Sequence, residues 1–422
     1  MAREMKDSGI EWIGEIPKEW ELVQLRRFVN INNGREIRRE VSKDYPGSIG
    51  VYGSGGIFKY TDEMQYSGKA VMFGRKGTLG KPLYVDDSFW TVDTMYFLTY
   101  KNGLDERFNY YQLIVFDWEP YITHTAIPSI VASQIVACHF PIPDRCEQNR
   151  ITSYLDKICV KLDNMIIKTR ASIEEYKRLK QAVITQAVTK GIRDDRQMKD
   201  SGVEWIGNTP IDWELIPFRY VLKERQEKNS PVKSVERLSL SIDLGVTLYA
   251  EKTTNLDRFK DDFEQYKLAY EGDLVMNSMN MIVGATGVSD YFGCVSPVYY
   301  TFYDELEDHV TAKYCEYIFR SKTMLRVLYS LGKGIYAIVR GDDRVNTCRL
   351  KVSKEDLKSI IIPVPPVEEQ REIVSYLKKK CEEIDELIAK KEQYLSEIEN
   401  YKKSLIYEYV TGKKEVPLEY QV

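Results

Sequence analysis

The stretch MKDSGIEWIGEIPKEWEL at residues 5–22 returns as MKDSGVEWIGNTPIDWEL at residues 198–215, with five of eighteen positions changed and an offset of 193. A second echo follows at a different offset: PIPDRCEQNRITSYLDKICVKLD from Pro141 matches PVPPVEEQREIVSYLKKKCEEID from Pro363, 222 residues on. The chain therefore reads as a short box, a variable region and a long segment, and then the same order again. The two variable regions differ in length by 29 residues and do not align with each other. A period of this size is a domain-scale duplication, unlike the 20–50-residue period of a solenoid.

The long segments read as helices. Ile151, Leu155, Ile158, Leu162, Met165, Thr169, Ser172, Tyr176, Leu179 and Val183 alternate in steps of four and three, and Ile373, Leu377, Lys380, Ile384, Leu387, Lys391, Tyr394, Ile398, Tyr401 and Leu405 repeat the pattern. That spacing lays one seam along a helix, and a long helix with one seam needs a partner. Asp144 and Glu147 have capping-box spacing, Pro366 precedes Glu368 and Glu369, and Gly191 and Gly412 follow the last apolar turns. These are start and stop signals of helices about 40 residues long, or roughly 60 Å.

The variable regions are mixed. Short β-like runs such as KAVMFG, TMYFLTY, DLVMN and VYYTFY stand beside helical stretches such as FNYYQLIVF and AKYCEYIFRSKTMLRVLYS. The fold expected is α+β, with two mixed α/β domains separated by two long antiparallel helices that form a coiled coil, in a pseudo-twofold repeat. Its divisions are a repeated box at 1–22, a first variable domain at 23–143, a central helix at 144–192, and a linker with the second box at 193–215. A second variable domain at 216–365, a second helix at 366–412 and a tail at 413–422 complete it. Trp12, Trp20, Trp205 and Trp213 read as packing anchors of the boxes.

Composition sets limits. In 422 residues, 43% hydrophobic and 29% charged, no stretch approaches eighteen apolar residues, and MAREMKDSGIEW lacks the apolar core of a signal peptide. A cytoplasmic protein without membrane association is expected. The seven cysteines include no CxxC, and three histidines accompany them, so no metal motif is read and reduced thiols are expected. Cys159 and Cys381, at matching places, read as small helix-face residues. A net charge of −4 argues against a broad basic field but leaves room for local basic patches.

Catalytic motifs are missing. GRKGTLGKP at 74–82 fails as a phosphate loop by one residue of spacing, and Pro82 stands where a magnesium-binding hydroxyl is needed, so it reads as a turn presenting Arg75, Lys76 and Lys81. No NPPY or DPPY tetrapeptide, GxSxG, HExxH or GxGxxG occurs. What remains are loops mixing basic, amide and aromatic residues: NINNGREIRR, GSGGIFKY, NSMNMIVGATG and LGKGIYAIVRGDDRVN. Arg and Lys bond guanine edges or phosphates, and Asn and Gln suit adenine. On that chemistry the candidate DNA-contacting residues are Arg35, Lys59, Arg75 and Lys76 in the first domain, with Asn280, Lys333, Tyr336, Arg340 and Arg344 in the second.

The boxes, the GRKGTLGKP turn, AIPSI at 126–130 and the PIP…EQ…I.SYL and PVPPVEEQREIVSYL helix starts together resemble the specificity subunit of type I restriction-modification enzymes, over essentially the whole chain. The resemblance implies two target recognition domains, each reading one half of a split, asymmetric site in double-stranded DNA, with the helices as spacer. It implies partners: two modification (methyltransferase) subunits, and restriction (endonuclease and translocase) subunits. S-adenosylmethionine, ATP and Mg would be used by those partners and no cofactor by this chain, which is expected not to be an enzyme. Helix length then sets the gap between half-sites. A methylation-only complex, and a coiled-coil scaffold binding proteins, are the other readings.

Overall fold

The repeated box folds the same way twice. Met5–Asp7 pairs antiparallel with Glu15–Pro17, Met5 opposite Pro17, and Met198–Asp200 pairs with Asn208–Pro210, Met198 opposite Pro210. The shared KDSG explains the shared turn: the Asp7 carboxylate accepts the Gly9 N–H at 2.9 Å and the Ser8 hydroxyl accepts the Ile10 N–H at 3.2 Å. Asp200 and Ser201 do the same for Gly202 and Val203, at 3.0 and 3.1 Å. Short polar side chains that bond the backbone two residues on specify such turns locally.

These contacts come from a computed structural model describing residues 3–101, 103–125, 127–252, 262–306, 308–335 and 349–417. It divides into two compact units, one of residues up to Ala171 together with those from Glu392 onward, the other Ser172–Lys391. Each unit holds one box, one insert, and one stretch from each of the two long helices, Arg145–Lys190 (46 residues) and Val367–Val410 (44 residues).

In the first unit the helices run antiparallel: the Tyr154 ring lies tilted against Tyr409 with centroids 4.7 Å apart, Lys402 pairs with Asp163 at 2.5 Å, and Arg170 with Glu399 at 2.6 Å. In the second, Lys391 lies over Tyr176, Lys180 pairs with Asp385 at 2.6 Å, and Arg193 with Glu372 at 2.7 Å. One index falls as the other rises, which defines the antiparallel pairing within each unit.

The seam differs from the expected heptad. Cys159, Ile166 and Ile173 are buried where Ile158, Met165 and Ser172 were expected, and Cys381 replaces Lys380. Met165, Leu179, Leu387, Tyr394 and Tyr401 are exposed by 40–58%. Buried positions 151, 155, 159, 162, 166, 169 and 173 advance by more than 3.5 residues per turn. A helix with its natural 3.6-residue turn drifts off a strict heptad, and two small thiols occupy the positions gained.

The N-terminus of each long helix is clamped by its box. Asp144 caps the first, accepting the Glu147 N–H at 2.9 Å. The Glu147 carboxylate does not complete the expected capping box. Arg3 takes it with two bonds of 2.7 and 2.9 Å, and the buried Trp20 indole donates to it at 2.9 Å. In the second unit Arg196 bonds Glu369 and, at 2.7 Å, Asp212, beside buried Trp213. The other helix ends there too: a Cβ on Gly412 would lie 2.4 Å from the Pro17 ring, and one on Gly191 would lie 3.2 Å from the Trp213 ring.

Each insert leaves its frame through an equivalent two-stranded stalk. Glu21–Gln24 pairs with His139–Ile142, and Glu214–Pro217 with Ile361–Val364, in matching register. The Leu25 N–H bonds the Cys138 carbonyl at 3.0 Å and the Phe218 N–H bonds the Ile360 carbonyl at 2.8 Å. Beyond these bonds the likeness stops. The first insert carries a six-stranded sheet in the order Val29–Asn33, Met95–Tyr100, Tyr66–Gly74, Leu83–Thr91, Ile49–Gly53, Gly56–Thr61, flanked by the helix Glu106–Val115. The second carries a four-stranded sheet, Lys223–Glu224, Tyr299–Tyr303, Leu274–Asn277, Thr286–Val288, with separate hairpins. The expected single helical stretch from Ala312 is two helices, Val310–Arg320 and Lys322–Leu331. Ser321, extended at φ −70° and ψ 142°, divides them and caps the second by accepting the Met324 N–H.

Candidate nucleic-acid interface

In the first insert, Arg35 and Arg75 are anchored to one short segment. The Arg35 N–H bonds the Thr91 carbonyl at 2.8 Å, and the Arg75 N–H bonds the Thr94 carbonyl at 2.7 Å. The Trp90 indole also donates to the Arg35 carbonyl at 2.7 Å, leaving the guanidinium exposed. Arg75 is half-buried over the Tyr96 ring, 5.7 Å from its centroid, and Lys76 beside it is exposed.

The GRKGTLGKP turn is docked on the segment that follows Ile127. The Ile130 N–H bonds the Arg75 carbonyl at 3.0 Å, the Gly77 N–H bonds the Pro128 carbonyl at 3.0 Å, and Lys76 bridges Ser129. Two motifs some fifty residues apart thus form one structure. Lys59 lies apart from them, on the far edge strand of the sheet, exposed and paired with Glu40 at 2.7 Å. Its neighbours Ile57 and Phe58 are about half exposed, at 46% and 55%.

Arg35 opens onto a recess of about 600 Å³ whose other walls include Asn32, Asn33, Gln65, Tyr66 and Trp90. Gln65 is locked, accepting the Thr91 N–H at 2.8 Å and donating to the Asn33 carbonyl at 2.9 Å. Asn32 donates to the Thr99 hydroxyl at 3.2 Å, and Asn33 is exposed. An aromatic and amide wall whose lip carries an amide and a guanidinium without side-chain partners among the described residues suits base-edge hydrogen bonding. NINNGREIRR contains Asn32 and Asn33, but Gln65 is joined to them only by its side-chain bond to the Asn33 carbonyl.

In the second insert, exposed Asn280 precedes the short turn Met281–Val283, and its carbonyl accepts the N–H groups of Val283 and Ala285 at 3.1 Å. Lys333 opens a hairpin arm, Lys333–Ile335 paired with Arg349–Lys351, and bonds Asp356 at 3.0 Å. Tyr336, Arg340 and Arg344 lie outside the described residues. Sequence reasoning missed what surrounds Lys333: a recess of about 490 Å³ that also takes in Lys267, Lys351 and Lys354, with Pro297, Val298 and Tyr300. Strand pairing of remote segments assembles it, so no local motif announces it. Glu224 bridges to Lys354 at 2.6 Å and also to Lys358. Burial alone would raise the Glu224 carboxyl, but the two ammonium groups hold it below its usual value.

Among the described residues no group of three or more His, Cys, Asp or Glu is placed to hold a metal ion, and no helix is long and apolar enough to cross a membrane. Cys159 and Cys381 are buried on the helix seam.

One frame is made twice and carries two unlike inserts, each with exposed amide and cationic groups. The family model for the type I restriction modification DNA specificity domain matches residues 17–175 and 337–399, more than half of the chain. The chain belongs to this family, and it is a DNA-binding specificity subunit of the type I restriction-modification kind. Similar curated chains include the MjaVIII type I restriction enzyme specificity subunit of Methanocaldococcus jannaschii, 23% identical over 94% of this chain and 93% of that one. A second chain from the same organism, assigned by name to the MjaX specificity subunit, is also 23% identical, over 95% of both. The fold is similar to a chain solved in work on complex assembly and conformational transition of the type I R-M system, with a TM-score of 0.65, 14% identity, and 94% and 99% of the two chains covered.

Proposed function

We propose that residues 23–143 and 216–365 are the two target recognition domains, and that each reads one half of a split, asymmetric DNA site. One observation carries this: identical stalks deliver inserts of different strand order, so equivalent positions in the frame present different chemistry. Two like frames also offer two similar docking surfaces, which suits two copies of one modification subunit. Adenine methylation from S-adenosylmethionine, and cleavage driven by ATP with Mg, are assigned to modification and restriction subunits. In this reading the chain itself binds no cofactor and catalyses nothing.

The test is co-expression of the full chain with its modification subunit, followed by sequencing of modified adenines. A two-part motif with an unread gap is expected. Methylation without sequence preference, or at a single undivided motif, overturns the reading. Cleavage assays with and without a restriction subunit separate a complete system from a methylation-only one.

A further inference from the structure

We propose that the recess at the foot of the hairpin Lys333–Ile335/Arg349–Lys351 holds one backbone phosphate of bound DNA, with Lys267 and Lys351 as its principal contacts. The proposal rests on the reading of this insert as a DNA-binding domain and adds the place and chemistry of one contact.

Four ammonium groups line the recess, but they are not equivalent. Lys333 is bonded to Asp356 at 3.0 Å, and Lys354 to Glu224 at 2.6 Å. Lys267 and Lys351 have no carboxylate partner among the described residues. Lys267 is half-buried and oriented by the Tyr299 carbonyl, to which it donates at 2.8 Å. Lys351 is exposed and stands opposite Lys333 in the hairpin register. The carboxylate of Glu355 also borders the recess and opposes the site.

Burial lowers the pKa of Lys267, Lys354 and Lys351 lower it further, and Glu224 opposes them. Lys267 and Lys351 are the ammonium groups of the recess without a carboxylate partner among the described residues, so an anion entering it meets positive charge that is not already paired. Lysine is a compact point charge without the flat fork that arginine offers to guanine, so the chemistry favours a phosphate over a base edge. Pro297 and Val298 supply an apolar wall of the kind a deoxyribose can lie against.

Phosphate contacts act through counterion release, each adding about 0.9 to the slope of log affinity against log salt for duplex DNA. The full chain with its modification subunit is titrated with a duplex carrying its mapped target and with an unrelated duplex, across a range of salt. Lys351→Ala is expected to weaken binding roughly three- to tenfold on both duplexes and to reduce the slope by about 1, with the methylated motif unchanged. Lys267→Met, close in shape, is expected to do the same. A phosphate-by-phosphate methylphosphonate scan should then find one position where wild type loses affinity and Lys351→Ala does not. An unchanged slope, or a loss confined to one base position, overturns the phosphate site while leaving DNA reading intact. A wild-type complex that retains neither duplex overturns both.

Discussion

The Trp20 indole donates to Glu147 at 2.9 Å, whereas the buried indole nitrogen of Trp213, its counterpart in the repeat, has no hydrogen-bond partner among the described residues. The two copies of one box therefore hold their helix starts with different bonds. A hydrogen bond to a charged group contributes about 1.5–3 kcal/mol, and a tryptophan without one contributes packing alone. Trp20→Phe is expected to destabilise the first unit by about 1–2 kcal/mol more than Trp213→Phe destabilises the second. Hydrogen exchange in the first turns of the two long helices, under increasing urea, reads each unit separately. Equal losses at both sites would remove the distinction.

The helix ends invite a similar comparison. Gly191 and Gly412 have φ of +80° and +73°, which costs a residue with a Cβ about 1–2 kcal/mol. At Gly412 the added methyl also meets the Pro17 ring at 2.4 Å, whereas at Gly191 its nearest neighbours stand at 3.2 Å. Gly412→Ala should therefore lower the melting temperature more than Gly191→Ala. The reverse order would show that the Pro17 contact gives way freely.

Glu224 ties the strand Lys223–Glu224 to the helix Lys354–Ser359 through Lys354 and Lys358, with its side chain 8% exposed. Its folded pKa lies below its ordinary value, so its contribution is fully present above about pH 4.5 and is lost as pH falls through the folded pKa. Glu224→Gln is expected to cost about 1.5–3 kcal/mol at pH 7, and the gap from wild type should narrow steadily below pH 4.5. Urea midpoints of both proteins from pH 7 down to about pH 2.5 check this. A gap independent of pH would mean that shape rather than charge is lost.

Arg35 and Asn33 are exposed at the lip of the amide and aromatic recess. Each base contact is worth about 1–3 kcal/mol of discrimination. Arg35→Ala or Asn33→Ala should relax one position of one half-site in methylation mapping and leave the other half-site intact. Uniform weakening of every variant site would reduce these residues to backbone contacts.

The thiols give a test of the helix seam. Burial raises the pKa of Cys159, Cys381 and, most strongly, Cys315, so these thiols hold little thiolate near neutral pH, whereas Cys146 is exposed. Alkylation of the native protein followed by peptide mapping should label Cys146 before Cys159, Cys381 and Cys315. Early labelling of Cys159 or Cys381 would place them off the seam.

The repeated frame was open to reading because its signals are local. KDSG bonds its own backbone, and the glycines after Lys190 and Thr411 end helices by conformation alone. The heptad pattern places Ile151, Leu155, Leu162, Ile373, Leu377, Ile384, Ile398 and Leu405 on the seam, where they are buried, and slips by one at Cys159, Ile166, Ile173 and Cys381 because the helix keeps its own turn. The recognition chemistry was harder still. Gln65 reaches Asn33 through a side-chain hydrogen bond, and Lys351 reaches Lys333 through strand pairing, and no local pattern encodes either. Loop chemistry singles out Arg35 and Lys333 as candidates, but not the partners that give them direction.

The stalks have an evolutionary consequence. Leu25 with Cys138, and Phe218 with Ile360, bring the two ends of each insert to within one backbone hydrogen bond of each other. A grafted domain needs only termini that leave side by side as an antiparallel pair, whatever its length or strand order between them. A pair of crossovers, one at each end of a stalk, would therefore exchange one insert for another and leave the sequences of the boxes and long helices unchanged.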